Sequence, residues 1–239
     1  MRLVVTGASS GIGRAIALAC ARRGDTVFAS ARHIESEHAN IVAVAGDVTR
    51  EEDRARLIET AGEIDVLVNN AGRGYYAPFA SIDASELEDL FRLNVIAPLR
   101  LTQLALPALR RSKGAVVMMS SVAGVVSSPK LGAYSASKFA LEALAIALRA
   151  EVEADGIGVT VIRPGPVDTP FRANSVTKDT TPGVRPRGSS KQTAEDIAEY
   201  TLSAIARRKP VVETSAFVRV ASFGARVVPP IFRAALKRM

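Results

Sequence analysis

Leu3-Val4-Val5-Thr6-Gly7-Ala8-Ser9-Ser10-Gly11-Ile12-Gly13 stands at the start of the chain, and its reading decides the fold. Leu3-Val4-Val5 is a short apolar run that reads as a buried strand, ended by Gly7 and followed from Ile12 to Arg23 by a helical pattern. The glycines between them allow a tight turn and a close backbone approach to a pyrophosphate. The helix N-terminus that follows offers unpaired N–H groups and a positive dipole end. A glycine-rich turn of this kind can be a plain connection. Its place directly after the first strand points instead to nucleotide binding, through Gly7, Ser9, Ser10, Gly11, Ile12 and Gly13.

The same alternation continues outward. Strands are predicted at Thr26–Ala29, Ile41–Ala45, Asp65–Val68, Ala115–Met119, Val159–Ile162 and from Pro210 to Val212. Helices are predicted at Arg50–Thr60, Ser85–Arg111 (interrupted at Pro98 and Pro107), Gly132–Ala154 and Ala194–Arg207. The strands are nearly continuous apolar runs, as in a parallel sheet covered on both faces. The expected fold is α/β, a single-domain, Rossmann-like, doubly wound parallel sheet of about seven strands. Residues 1–213 form the dinucleotide-binding catalytic domain in this reading, and 214–239 an apolar and basic extension. Ala31–Asn40 is short for a crossover helix and reads as a loop or single turn. Asp168–Thr193 is a long irregular stretch, and loops of that length are usually functional or disordered.

Composition narrows the function classes. A chain of 239 residues buries roughly 70–75% of its unfolded surface and needs no disulfide staples. The single cysteine, Cys20, lies in an apolar stretch and reads as a core residue in a protein of a reducing compartment, the cytoplasm. The formal charge is +7, but the arginines are scattered and there is no tryptophan to stack on bases, so nucleic acid is not the expected partner. No metal ligand set is expected. The apolar run after Met1-Arg2 is too short for a secretory leader, and no run approaches the roughly 18 residues of a membrane span.

Three features carry chemistry. At the end of the second strand, a carboxylate would bind ribose hydroxyls and repel a 2′-phosphate. Here the chain has Ser30-Ala31-Arg32, and a guanidinium can pair bidentately with a phosphate, so NADP is favoured over NAD. Tyr134 and Lys138 are four apart on a helix and share a face. An ammonium beside a phenol stabilises the phenolate and eases proton transfer. Ser121 closes the fifth strand, at the carboxyl edge where ligands bind in such sheets.

With these residues in place the sequence resembles the short-chain dehydrogenase/reductase family, in its compact branch of about 250 residues, from Leu3 to about Val212. The resemblance rests on Thr6-Gly7-x-x-x-Gly11-x-Gly13, Asp47-Val48, Asn69-Asn70-Ala71-Gly72, Asn94, Ser121, Tyr134-x-x-x-Lys138 and Pro164-Gly165-x-Val167-x-Thr169. It implies a catalytic set of Asn94, Ser121, Tyr134 and Lys138. Tyr134 would act as general acid in reduction and base in oxidation, Ser121 would hold the substrate oxygen, and Lys138 would lower the tyrosine pKa and hold the nicotinamide ribose. Asp47 and Val48 would meet the adenine, and Asn70, Ala71 and Gly72 the adenosine side. Val167 and Thr169 would meet the carboxamide, with Pro164-Gly165 behind the ring. Asn94 also has an account in backbone chemistry: residue 98 is proline, so the Asn94 carbonyl loses its helical N–H partner and could hold a water relaying protons to Lys138.

Two rivals share the scaffold, an epimerase or dehydratase that retains NAD, and a non-enzymatic NADP-binding regulator. The first usually carries a substrate domain for which this chain has no room, and the second would have lost Tyr134 or Lys138. The pocket walls are expected from Val122–Pro129 and Gly74–Pro78, mostly small and apolar, and fit a hydrophobic carbonyl or alcohol. The resemblance further implies a homodimer or tetramer through Ser85–Arg111 and Gly132–Ala154, where Ala140, Ala143, Ala147 and Ala150 would let backbones approach. Asp168–Thr193 is expected to act as a lid. The extension mixes apolar residues with basic charges only, which suits either a pocket cover, a subunit contact or peripheral contact with an anionic membrane.

Overall fold

The computed structural model describes residues 1–178 and 192–227. Seven parallel strands form one sheet: β1 (Arg2–Thr6), β2 (Thr26–Ala31), β3 (Ile41–Ala45), β4 (Val66–Asn69), β6 (Ala115–Met119), β7 (Gly158–Arg163) and β9 (Val211–Glu213), in the order β3-β2-β1-β4-β6-β7-β9. The helices are α1 (Gly11–Arg22), α2 (Glu51–Ala61), α3 (Ala84–Phe91), α4 (Ala97–Ser112), α5 (Gly132–Val152), α6 (Ala194–Ala206) and α7 (Ala216–Val227).

Side chains alternate across the sheet, so neighbours on one strand serve opposite layers. Leu3 and Val5 face the layer holding Ile16 of α1 and Ile197 of α6, while Val4 faces Leu57, Leu101 and Leu141 of α2, α4 and α5. The chain order reverses between β1 and β4, and a crevice opens at the carboxyl ends of these strands. The anticipated doubly wound sheet is therefore present, and Ala31–Asn40 contains no helix. Cys20 is fully buried, and burial pushes its thiol up to about 12, as suits a core residue.

Two details differ from the sequence reading. Pro107 does not interrupt α4, which runs through it to Ser112. Both Pro107 and Gln103, whose carbonyl loses its partner, are exposed, so the orphaned carbonyl lies on the solvent side of the helix. Pro98 does leave its mark. The turn before α4, Arg92–Ile96, is a π-turn, with the Ala97 N–H reaching back to the Arg92 carbonyl. The sequence also gave no sign of a second small sheet, β5 (Tyr75–Tyr76) paired in parallel with β8 (Val176–Thr177).

Candidate active site

The glycine-rich turn is locked from below. Asn70 donates its side-chain amide to the carbonyls of Thr6 (2.8 Å) and Gly7 (3.2 Å), and the Thr6 hydroxyl accepts from the Asn70 and Ala71 N–H groups (3.1 and 3.0 Å). At Gly13 a Cβ would stand 2.3 Å from the Gly7 carbonyl oxygen, so no side chain fits and α1 packs directly on the turn. Ser10 caps α1 without a side-chain hydrogen bond, and the first turn of α1 has no acid. The end is therefore open to an anion, and the residues present fit the pyrophosphate of a dinucleotide. Ser9 is exposed and Gly11 and Ile12 are half-buried along the same edge. Thr169 packs over Gly11, bringing Pro164–Thr169 against the phosphate turn.

Farther along the crevice, Arg32 is exposed and, among the described residues, has no carboxylate partner. Ser30 is buried in β2, so of the two residues singled out at this strand end only the arginine reaches solvent. Asp47 accepts from the Thr49 N–H and hydroxyl (2.9 and 2.8 Å), which shapes the entry to α2 and sets Val48 against the core. Arg14 is paired with Glu37, tying α1 to the shortened connection.

Tyr134, Lys138 and Asn94 are all buried, at 7%, 4% and 0% exposure. Lys138 donates from Nζ to the Met119 carbonyl (2.9 Å), at the end of β6. Gly72 comes close enough to Asn94 and Lys138 that a Cβ there would lie 3.1 Å from Asn94 Oδ1 and 3.6 Å from Lys138 Nζ. Burial in low dielectric pulls the Lys138 ammonium down to about 8, opposed by Glu142 one turn away. Burial likewise pushes the Tyr134 phenol well above its usual range, opposed by the nearby Ser121 hydroxyl. Ser121 also accepts from the Ala123 N–H (3.1 Å), capping the short turn Val122–Gly124.

Asn94 is a clamp as well as a backbone position. Its side chain accepts from the Arg73 N–H and donates to the Arg73 carbonyl (3.0 Å each), and donates again to Ser137 Oγ (3.0 Å). Ser137, between Tyr134 and Lys138 on the same helix, is fully buried and bridges Asn94 to the Tyr134 carbonyl (2.7 Å).

The structure adds residues that the sequence reading passed over. The Phe171 ring packs against the Tyr134 ring, 5.9 Å between centroids and tilted by 57°. Its segment is held to Gly74–Tyr76: Val176 N–H to the Gly74 carbonyl (3.2 Å), Lys178 N–H to the Tyr76 carbonyl (2.9 Å) and Gly74 N–H to Ser175 Oγ (3.2 Å). Arg172 stacks over Tyr76 at 5.8 Å. The apolar Phe171 after Pro170 was the one available signal, and it gave no hint of which wall it would meet. The excursion closes at its base, where Asp168 N–H meets the Gln192 carbonyl (3.0 Å). The expected lid, Asp168–Thr193, falls outside the described residues between 179 and 191.

Comparison with known proteins gives the same reading. The profile of the short chain dehydrogenase family matches residues 2–180. An uncharacterized oxidoreductase of Escherichia coli strain K12, YbbO, is 38% identical over 182 residues, covering 72% of this chain and 68% of that protein. A short chain dehydrogenase from Burkholderia cenocepacia J2315 solved with NADP is 26% identical, with a TM-score of 0.86 over 98% of this chain and 96% of that one. Another, from Burkholderia phymatum solved with NAD, is 25% identical, with a TM-score of 0.83 over 96% and 94%. The fold, the crevice and these relatives together establish that the chain belongs to the short-chain dehydrogenase/reductase family and is a nicotinamide-dependent oxidoreductase acting on CH–OH or C=O groups.

Proposed function

We propose that this oxidoreductase prefers NADP(H) and acts on a hydrophobic carbonyl or alcohol, with Tyr134, Lys138, Ser121 and Asn94 as its working set. Solved relatives hold either dinucleotide, so membership alone does not decide between them. The observation that carries the preference is Arg32, exposed just past β2 where no acid stands. A charge-assisted contact to a phosphate is worth about 1.5–3 kcal/mol.

When bound, the cofactor supplies or accepts the hydride. The chain's own residues handle the proton. Tyr134 gives its phenolic proton to the substrate oxygen in reduction and takes it in oxidation, while Ser121 holds that oxygen. Lys138 carries positive charge beside the phenol and holds the ribose hydroxyls. Asn94 fixes the wall at Arg73, and its carbonyl leads protons outward. Asp47, Val48, Asn70, Ala71 and Gly72 line the adenosine end, and Pro164, Gly165, Val167 and Thr169 the nicotinamide end.

The substrate side is lined by aromatic rings, with Phe171 against the Tyr134 ring and Tyr76 beneath Arg172. The subunits pair through α4 and α5. Phe139 and Ile146 of α5 and Ile96 and Leu99 beside and on α4 are exposed, and Ala143, Ala147 and Ala150 face solvent rather than the sheet. A single buried thiol suits the cytoplasm. The deciding experiment is an initial-rate screen with NADPH and NADH against matched long-chain, aryl and polar aldehydes and ketones. A preference for NADH, or faster turnover of the polar members, overturns the reading.

A further inference from the structure

A helix packed on the surface of a protein ordinarily turns its apolar residues inward and its polar ones to water. Helix α7 breaks that rule. Its inward side is well covered: Val218, Ala221 and Ser222 are 0%, 4% and 3% exposed. Its outward side is also apolar. Phe217, Val220 and Phe223, each three residues apart, are 48%, 70% and 65% exposed, and the charged residue between them is Arg219.

The described charge beside this face is basic. In sequence, α7 holds Arg219 and Arg226 and no acid. An open cleft beside α7 is lined by Arg163, Lys209, Val211, Val212, Glu213 and Arg219. Its acid, Glu213, is already paired with Arg163 (3.1 Å), and Arg163 is paired again with Glu142 (2.8 Å). Lys209 and Arg219 have no carboxylate partner among the described residues.

Three occupants could cover such a face. A second copy related by a two-fold axis would set Arg219 and its basic neighbours against themselves. The chain's own end, folded back, would bring Arg233, Lys237 and Arg238 to Lys209 and Arg219. Both arrangements concentrate like charge in a low dielectric. An anionic bilayer takes the apolar face into its interface and answers the charge at the same time.

We propose that the outward face of α7, with Arg219 and Lys209 beside it, docks the protein on an anionic membrane surface. The helix borders the reaction site, because Val218 and Phe217 face the backbone of Gly165, and α7 touches the turn Val122–Gly124 that follows Ser121. Docking therefore sets the cleft at the lipid boundary, where a hydrophobic substrate dissolves. That last step rests on the substrate class proposed above; the docking itself does not.

The test is co-sedimentation of the full chain with phosphatidylserine/phosphatidylcholine vesicles and with phosphatidylcholine vesicles alone, at low and high salt. Each basic residue near an anionic surface strengthens partitioning about fivefold, and salt screens the effect. Expected are binding to the anionic vesicles at least tenfold tighter than to the neutral ones, weakening with salt, and loss of binding in the Val220→Glu/Phe223→Glu double variant. NADPH-dependent turnover of a water-soluble aldehyde by that variant should match wild type, which shows that it is folded. Equal binding to both vesicle types, or a full chain that stays in the supernatant at low salt, overturns the proposal. If the double variant instead halves the mass seen in sedimentation velocity, a second copy covers the face and the membrane reading is wrong. Failure of wild type to turn over any carbonyl would count against the redox assignment and leave the docking result intact.

Discussion

The phosphate end of the crevice is one continuous turn, Gly7–Gly13, pinned by Thr6 and Asn70, whereas the substrate end is assembled from Gly74–Tyr76, Ser121–Gly124, Phe171–Thr177 and Phe217. In the proposed reading the backbone does the recognition at the first end, through N–H groups, a helix terminus and glycines that leave no room for a Cβ. At the second, side chains from distant segments meet, and each could change without disturbing the sheet beneath. Family membership accordingly fixes the first end closely and leaves the second free to set the substrate.

The catalytic pair sits between the two ends and gives the largest expected effect. Tyr134→Phe keeps the buried ring and removes only the proton donor, so kcat should fall roughly 10²–10⁴-fold with cofactor affinity nearly unchanged. Steady-state rates beside a fluorescence titration with NADPH would check it. Activity within about threefold of wild type would remove Tyr134 from its proposed role.

Arg32→Ala probes the phosphate end alone. The kcat/KM with NADPH should drop about ten- to a hundredfold while that with NADH stays put. An unchanged ratio would mean that another cation reads the 2′-phosphate, and Arg14 is not the first candidate because Glu37 already holds it.

Much of the phosphate end was legible because its constraints are local. A strand, a run of glycines and a helix start are sequence neighbours, and the missing acid at the end of β2 is visible in Ser30-Ala31-Arg32. Tyr134 and Lys138 were legible for the same reason, four residues apart on one helix. What stayed hidden depends on contacts between distant segments. Nothing in the sequence near Ser137 shows that it receives a hydrogen bond from Asn94, 43 residues away. The pairing of Tyr75–Tyr76 with Val176–Thr177 joins segments far apart in the chain, and a two-residue strand has no period to read. Pro107 looked like a helix break because the sequence could not show that the orphaned carbonyl of Gln103 faces water.

The titration of Lys138 joins the two ends. Burial lowers its pKa to about 8, so the ammonium is intact below that value and is lost as pH rises through it. A neutral Lys138 no longer supports charge on the phenol. The kcat/KM for reduction should therefore be level below about pH 8 and fall about tenfold per pH unit above it, since kcat/KM reports the groups of the free enzyme. A profile that stays level to pH 10 would show that Lys138 keeps its charge and that burial is offset by Glu142 and the carbonyl of Met119.

The smallest expected effect belongs to Phe171, and it bears most directly on the substrate end. Its ring packs against Tyr134, and the Ser175 hydroxyl holds the Phe171 carbonyl (2.7 Å) while its segment pairs with Gly74–Tyr76. With Tyr134 only 7% exposed beside this ring, we propose that Phe171–Thr177 opens to admit substrate and closes on it. In Phe171→Ala the phenol loses part of its burial, and its pKa should come down toward the ordinary value near 10. The substrate loses part of an aromatic contact worth about 1.5–3 kcal/mol when complete, so KM for an apolar carbonyl should rise about three- to tenfold. NADPH affinity should move little, because the Phe171 ring packs on Tyr134 rather than on the glycine turn. Amide exchange supplies the matching structural readout, with Gly74–Tyr76 and Ser175–Lys178 gaining protection together when NADP and an inert substrate analogue bind. If KM is unchanged and these amides exchange at the same rate with and without ligands, Phe171 is a fixed wall, and the substrate must reach Tyr134 from the side of α7.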